Sequence, residues 1–363
     1  MTKNMHVAVA YVITHMGLMF YSYPADVIES TKEAHWLPIM VGFLFHLTII
    51  SVYMKGISLM KGQNLITVLM NKNKGLAWAA LFPVSVYLFV NIILTVRSYA
   101  EIISIIFLSN TPLWVLMLLL LIIPAYMALH GGAKGLMRTS LLLAILFILP
   151  ILFVLINSFQ HVDFRYALPL LPTSSHMFSF LLHPAYYKSI FVFTAGFLFL
   201  GFIPSSVPYK PKTIIKSSFM LLPLYLFSVY IPILTLGQET ARQLEFPYTF
   251  TVDTIEIDWL MFDRITVFML LSLMAFSMMF IAVTFWCLQT VIRQSIKDIR
   301  PLYLMPVIVV VSFSVCLSIP DWKIVDHAYQ LNSYLRGYVA LTIPPIALIA
   351  GRSYIRQMNR ELK

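Results

Sequence analysis

The sequence predicts an all-α membrane protein of about ten transmembrane helices, and two observations carry that prediction. Of its 363 residues, 60% are hydrophobic and only 11% are charged, whereas about a quarter of the residues are charged in ordinary soluble domains. The apolar residues also form successive runs of about 20, the length that a helix needs to cross a bilayer core. Because short polar segments join these runs without a Gly- or Ser-rich linker, we expect a single permease-like membrane domain over residues 1–363.

Ten segments are long and apolar enough to be transmembrane helices. In chain order they are 5–26, 36–54, 76–108, 112–130, 138–157, 189–208, 213–236, 264–291, 302–319 and 334–355. As a helix, the third segment would be about 50 Å long, so it must tilt or project beyond a core of roughly 30 Å.

The distribution of Lys and Arg predicts the orientation of these helices. With the N-terminus in the cytoplasm, 17 of the 25 basic residues fall in cytoplasmic segments and seven fall outside, Arg336 among them; Arg97 lies within the third helix. Cytoplasmic loops of membrane proteins collect basic residues. We therefore expect both termini in the cytoplasm and long outer loops at 158–188 and 237–263.

Several classes of function have no support in the sequence. The net charge of +10 is spread over short loops rather than concentrated in a patch that could bind nucleic acid. Cys287 and Cys316 lie in apolar runs, so neither a disulfide framework nor a cysteine metal site is indicated. The chain has no Walker loop, dinucleotide-binding Gly pattern, zinc-protease motif or nucleophile elbow. We expect no enzyme activity, no catalytic residues, no metal and no cofactor.

Helices one and six share a spacing that predicts an internal repeat. Thr14 and Pro24 are ten residues apart with Gly17 between them, and Thr194 and Pro204 are ten apart with Gly196 between them. Many secondary transporters consist of two inverted repeats of five helices, whose first helices are interrupted in mid-membrane and hold the substrate there. The alternative is that these Gly and Pro residues only permit close packing or a kink.

A set of residues spread along the chain points to a known family. It comprises Gly17 and Pro24, Tyr87, Arg97, Ala100-Glu101, Thr111-Pro112, Gly196 and Pro204, Phe246-Pro247, Phe262-Asp263-Arg264, Pro320-Asp321, and Tyr334-Leu335 with Gly337. In this order and spacing, the chain resembles the spore germination permeases, which are the B subunits of germinant receptors. That family belongs to the amino acid–polyamine–organocation superfamily.

The resemblance implies a leucine-transporter-like fold, with a five-plus-five inverted repeat and with helices one and six interrupted. It also implies a small-molecule germinant, with an amino acid as the first expectation. The partners would be a membrane-embedded A subunit and a C lipoprotein, surrounded by lipid of the bacterial cell membrane or spore inner membrane. The expected ligand-binding residues are Thr14, Met16, Gly17, Leu18, Met19, Tyr87, Gly196, Phe197 and Leu198.

Two residues of the expected site depart from the family pattern. Relatives often have a second Gly where this chain has Met19, and a Glu where it has Leu198. The acid would be an obvious partner for an amino group, and Met19 fills space that a carboxylate could use. A less polar ligand, or a subunit that senses nothing by itself, therefore stays open.

Three ionisable side chains within the helices are further candidates. Arg97 and Glu101 are four residues apart on one helix face, where they can form a charge pair with a coupling or structural role. The alternative is an interfacial anchor with a snorkelling Arg. His15 lies beside the expected interruption of helix one and could contact a ligand, although such a His is more often bonded to a neighbouring helix.

Three hypotheses about function follow from these observations. The first is a germinant-receptor subunit that binds a small ligand between helices one and six and passes the event to its partners. The second is an independent amino acid or polyamine transporter on the same fold. The third is a scaffold subunit whose own site is vestigial, which the departures at Met19 and Leu198 favour.

Overall fold

The computed structural model describes residues 5–171, 177–255, 266–296 and 299–361. Its helices are α1 Met5–Met19, α2 Tyr23–Ser30, α3 Trp36–Leu59, α4 Leu65–Lys72, α5 Lys74–Ile106, α6 Leu113–Asn157, α7 Pro184–Thr194, α8 Pro211–Leu236, α9 Gln238–Arg242, α10 Pro247–Asp253, α11 Thr266–Ser295, α12 Pro301–Leu317 and α13 Trp322–Glu361. Three 3₁₀ segments are Phe164–Ala167, Ser179–Leu182 and Leu198–Gly201. The Phe262-Asp263-Arg264 motif lies outside the described residues.

The protein is an all-helical membrane protein, as predicted, and its described residues contain no strand. Six helices, namely α3, α5, α6, α8, α11 and α13, are individually long and apolar enough to cross a membrane. The pair α1 and α2 forms a further span with a bend of 60°. Helix α6 has 45 residues and turns at Gly132, whose φ is +50°, so it provides two consecutive spans without the loop expected between them. The shorter apolar helix is α12.

The first helix is interrupted at 20–22, between Gly17 and Pro24 of the paired spacing and three residues beyond that glycine. Pro24 explains this position, because its ring clashes with the carbonyl four residues earlier, that of Phe20, and it cannot donate a helical hydrogen bond. Proline is tolerated at the start of a helix, and there it opens α2. Gly17 itself remains helical and packs against α11.

The sixth span is interrupted next to the predicted glycine. Helix α7 ends at Thr194, residues 195–197 form a turn around Gly196, and the chain resumes as the 3₁₀ segment Leu198–Gly201. Pro204 disfavours a longer helix here for the same reason as Pro24, since it would oppose the carbonyl of Leu200. The expectation that helices one and six are both interrupted is confirmed.

The two interrupted spans lie in the interior of the bundle. In α1 nearly every residue from Val7 to Met19 is buried, a burial that an amphipathic surface helix would not show. Small residues let the surrounding helices approach closely, as is usual in membranes. At Gly17, a Cβ would lie 2.7 Å from the backbone carbon of Phe276 in α11, and at Gly56 of α3 it would lie 2.6 Å from that of Ala347 in α13.

The last helix begins earlier than the hydropathy of the sequence suggests. Helix α13 starts at Trp322, and the expected outer segment before residue 334 is its first three turns. Arg336, which the charge distribution assigned to an outer segment, is therefore inside a helix, and it is only 2% exposed. The helix contains polar residues among its apolar ones, so the hydropathy of the sequence underestimates its length.

Candidate functional site

The first interrupted span contacts the second interruption where the His15 side chain of α1, five residues before the break at 20–22, lies against Gly196. A Cβ at position 196 would be 2.5 Å from Cε1 and 2.8 Å from Nδ1 of the His15 ring. His15 Nδ1 donates a hydrogen bond to the carbonyl of Tyr11, at 2.7 Å, so Nε2 keeps its lone pair. Nε2 is buried and has no hydrogen-bond partner among the described residues. It is a free acceptor at the centre of the bundle.

A chain of hydrogen bonds ties α1 to the end of α7 beside this point. The Tyr11 hydroxyl contacts His46 Nε2 on α3 and lies 2.8 Å from the Ser218 hydroxyl on α8. His46 Nδ1 donates to the carbonyl of Phe193, the penultimate residue of α7. That bond fixes the imidazole tautomer, so the Tyr11 hydroxyl is the donor to His46 Nε2. The second interruption is thus fixed to three helices.

The expected ligand-binding residues of α1 face different surroundings. Gly17 contacts the backbone of α11, and its carbonyl accepts a hydrogen bond from the Tyr99 hydroxyl of α5. Met16 lines an apolar cavity of about 250 Å³ between α1, α6, α8 and α11. The Thr14 hydroxyl donates to the carbonyl of Tyr11 at 2.9 Å. Met19 and Leu18 are buried next to the first interruption.

The expected residues after the second interruption pack on α3. The Phe197 ring stands edge-on to Tyr53, with ring centroids 5.1 Å apart. The Tyr53 hydroxyl donates to the carbonyl of Leu198 at 3.0 Å, and Leu198 itself is 1% exposed. Tyr87 of α5 lies beside Asn91 and beside Thr194, the last residue of α7. Of the nine predicted residues, Gly196 contacts His15 directly.

A group of aromatic side chains covers the first interruption. Tyr21 stacks on Tyr99 with ring centroids 5.0 Å apart. Phe246 and Trp322 also pack on the Tyr21 ring, with centroid distances of 5.1 and 6.0 Å. The Tyr21 hydroxyl also donates to the carbonyl of Ser98 at 2.8 Å. These four rings are called here the aromatic lid, and Trp322 among them also lines the charged vestibule described next, as does Ser22 of the interruption.

The vestibule is a cavity of about 330 Å³ lined by charged residues of α2, α7, α13 and the segment after α9. Lys188 of α7 lies at its centre, with Nζ at 2.6 Å from Asp326, 3.4 Å from Asp26 and 4.0 Å from Glu29. Glu245 lies on its wall, and partial burial together with the carboxylates of Glu101 and Asp326 raises its pKa. One lysine thus holds together three carboxylates of two other helices.

Arg97 and Glu101 form an ion pair within α5, as their spacing suggests. Arg97 is 1% exposed, and its guanidinium also donates to the carbonyls of Ile319 and Pro320, at 3.2 and 3.4 Å. Those two carbonyls belong to the segment between α12 and α13. The pair therefore fastens α5 to the start of the last helix and has few donors left for a ligand.

Apart from Tyr87, the sequence did not predict a second group of buried polar residues, namely Asn91 and Thr95 of α5 and Asn332 and Arg336 of α13. Asn332 donates to Asn91 at 2.9 Å, and Arg336 lies one turn after Asn332. The spacing that could have revealed them is the four-residue interval of Tyr87, Asn91 and Thr95 on one helix and of Asn332 and Arg336 on the other.

In the part of the chain that the structure describes, no group of three or more His, Cys, Asp or Glu is arranged to hold a metal ion.

Comparison with known proteins gives one family and one informative fold. A family model described as spore germination protein matches residues 2–321. No curated protein matches. Among solved structures, the chain is similar to MhsT, crystallised in complex with L-phenylalanine, with a TM-score of 0.54 and 13% identity over 96% of each chain. At this identity the likeness concerns the fold alone: a leucine-transporter-like arrangement with two interrupted helices.

Proposed function

Because the chain belongs to the spore germination protein family, we propose that it is the membrane-embedded B subunit of a germinant receptor, which binds a small apolar ligand between its two helix interruptions. The family and the fold are those of a multi-pass, permease-like membrane protein. The observation that carries the proposal is the contact of His15 with Gly196, which joins the first interrupted span to the second interruption in the bundle interior.

Unpaired backbone groups at the interruptions support an amino acid as the ligand. At the start of α2, Pro24 has no N–H and the Asp26 amide bonds to the Ser22 carbonyl, which leaves the amides of Tyr23 and Ala25 without a partner within the helix. The helix dipole adds positive potential there, so a carboxylate is favoured. The amino group needs acceptors, and relatives often supply a Glu where this chain has Leu198. Here the free lone pair of His15 Nε2, together with backbone carbonyls of the interrupted helix, can take that role.

The side chain of the ligand would be apolar. Met19, Phe197 and Leu198 are buried and offer no polar atoms. A ligand with several hydroxyls would leave them unpaired, at a cost of about 1 to 3 kcal/mol each, so sugars are disfavoured. The bound L-phenylalanine of MhsT shows that the same fold can hold an apolar amino acid.

Signal transfer would use the elements that close over the first interruption. A ligand that orders residues 20–22 would change the packing of the aromatic lid and, through α2, the charges around Lys188. The vestibule would then face the outside of the membrane, where the receptor's A subunit and C lipoprotein are expected as partners. We place the protein in the spore inner membrane with both termini in the cytoplasm.

Germination and flux assays separate the three hypotheses. Spores lacking this gene should lose the response to one or a few apolar amino acids and keep their response to other germinants. The purified protein alone in vesicles should not accumulate the same labelled amino acid. Accumulation without partners would support the transporter hypothesis instead, and a deletion that lowers every response of the receptor alike would support the scaffold.

Cysteine labelling tests the orientation. Arg165 has an 87% exposed side chain in a segment that we place outside, and Lys61 is exposed in a segment that we place inside. The two native cysteines are buried and should give little background. In intact cells, a membrane-impermeant thiol reagent should label Arg165→Cys and not Lys61→Cys. The reverse pattern would refute the topology.

A further inference from the structure

Arg336 is a buried cation that forms no ion pair with the described residues, although the Asp26 carboxylate is near enough to interact with its charge. Its Nη1 donates to the carbonyls of Tyr187 and Lys188, at 2.8 and 2.9 Å, and its guanidinium carbon lies 5.0 Å from the centroid of the Phe191 ring. Nε and Nη2 have no hydrogen-bond partner among the described residues. The residue also takes part in none of the ion pairs found there.

The side chains around Arg336 add further unpaired groups. The hydrogen bond from Asn332 to Asn91 leaves the Nδ2 of Asn91 and the Oδ1 of Asn332 without partners. On α5, Tyr87 and Thr95 lie one turn to either side of Asn91. The Thr95 hydroxyl has no partner, and the Tyr87 hydroxyl lies beside Asn91 and Thr194 without a hydrogen bond of good geometry. If the two amides are exchanged in orientation, one N–H₂ group and one oxygen still remain free.

This set of unpaired groups has more donors than acceptors. Two guanidinium nitrogens and an amide nitrogen can only donate, two hydroxyls can do either, and a single amide oxygen accepts. Buried donors are normally satisfied, and an unpaired buried charge is costly. Arg97 shows the usual arrangement in this protein, because Glu101 balances its charge. A bound anion would do the same for Arg336.

The structure also offers space beside Arg336. A cavity of about 300 Å³ between α3, α7 and α13 reaches this residue, and its other walls are mainly apolar, with Val41, Phe45, Ile190, Ala340 and Leu341 among them. A sugar or a polyvalent anion would lose its hydration there without compensation. A weakly hydrated monovalent anion, or a carboxylate attached to a small apolar group, matches both the donors and the walls.

We propose that Arg336 is the centre of a buried anion site on α13, between the cavity beside α3 and α7 and the polar residues of α5, which takes a monovalent anion: either chloride or the carboxylate of a small apolar acid. Its central residue, Arg336, is not among the residues expected to bind the ligand, whereas Tyr87 at its edge is. The proposal does not depend on the function proposed above. Because Arg336 holds carbonyls of α7 and Tyr87 lies beside Thr194, the anion would stabilise α7 just before the second interruption.

Thermal unfolding of the purified full-length protein in detergent tests the site. The Tm should rise saturably with sodium chloride or bromide, or with sodium phenylacetate, against sodium sulfate at equal ionic strength. If chloride and bromide raise the Tm, the site takes a halide; if phenylacetate raises it, the site takes a carboxylate. Arg336→Gln should lose the dependence, whereas the matched variant Arg97→Gln, which removes a buried arginine that has its own carboxylate, should keep it. An equal Tm in all salts, or an unchanged dependence in Arg336→Gln, would overturn the proposal.

A second variant supplies the missing charge from within. Asn332→Asp places a carboxylate four residues before Arg336, the favourable order for a helical ion pair. The variant should fold and its Tm should no longer respond to the anion. In a wild-type crystal soaked with bromide, or with a bromophenyl-substituted acid if the carboxylate is active, an anomalous peak should lie beside the guanidinium. A site filled by water only, or a response retained by Asn332→Asp, would contradict the assignment.

Discussion

The imidazole of His15 occupies the space that a side chain at position 196 would need, since a Cβ there would lie 2.5 Å from its Cε1. The glycine at the second interruption is therefore required by a residue of the first interrupted span. His15 is fixed by its bond to the Tyr11 carbonyl and by its contacts with the Tyr11 and His46 rings. The two halves of the proposed pocket are consequently coupled by one side chain.

Gly196→Ala should destabilise the protein through this contact. Overpacking of a well-packed interior costs about 1 to 3 kcal/mol, so the Tm of the purified variant should fall. His15→Ala removes the opposing ring, and in the double variant the alanine at 196 should then cost little. A double-mutant cycle of Tm values measures the coupling. Strictly additive effects would show that the two residues are not in contact.

Gly17→Ala should also destabilise, for a different reason. Its Cβ would meet the backbone of Phe276 and Ser277, which cannot rotate away, so α1 and α11 must separate. We expect a loss of about 1 to 3 kcal/mol and reduced abundance in the membrane. The matched control is Gly135→Ala, a helical position with open space around it, where Ala should be neutral or stabilise by about 0.5 to 1 kcal/mol. Equal effects of the two substitutions would contradict the packing role.

The sequence predicted the fold because lipid imposes simple rules on length and hydropathy. Both interruptions were predicted from paired Thr, Gly and Pro, and the structure shows why the first lies three residues after Gly17. Gly17 belongs to the Thr14–Pro24 spacing, but its small size serves contact with α11 and the helix stays closed there. Pro24 determines the break instead, through the carbonyl four residues before it.

The polar interior could not be predicted to the same extent. His15 was identified as a candidate, but its contact with Gly196 depends on the relative position of two spans about 180 residues apart in sequence. Arg336 was assigned to an outer segment, because the first turns of α13 are too polar to be recognised as part of a membrane helix. Hydropathy reports the average of a segment, whereas a buried polar site depends on which face each residue occupies.

The ion pair of Arg97 and Glu101 should support assembly more than ligand choice. Arg97→Ala leaves the Glu101 charge in place without its partner, and it also frees the carbonyls of Ile319 and Pro320. We expect lower receptor abundance, or an equally weakened response to every germinant that the receptor recognises. The double variant Arg97→Ala/Glu101→Ala should be less impaired than Arg97→Ala. An altered ligand preference at normal protein level would oppose this role.

His35 should make stability depend on pH. Burial at the start of α3 lowers its pKa to about 4, whereas the unfolded value is about 6.5. The unfolded chain thus takes up the proton first, so stability is complete above about pH 6.5 and falls as the pH decreases toward 4. The loss at pH 5 should be about 1 to 2 kcal/mol. His35→Gln should reduce the difference in Tm between pH 7.5 and pH 5; an unchanged difference would exclude a contribution from His35.

The most direct test of the proposed function is the germination of spores that carry Leu198→Glu in place of the native subunit. A carboxylate in this dry site should raise the concentration of apolar amino acid needed for half-maximal germination by about tenfold or more. Leu198→Met, which conserves volume and polarity, should germinate like the wild type, and immunoblots must show equal receptor levels. If Leu198→Glu at a normal level also germinates like the wild type, the pocket between the interruptions is not the sensing site, and the scaffold hypothesis should replace ours.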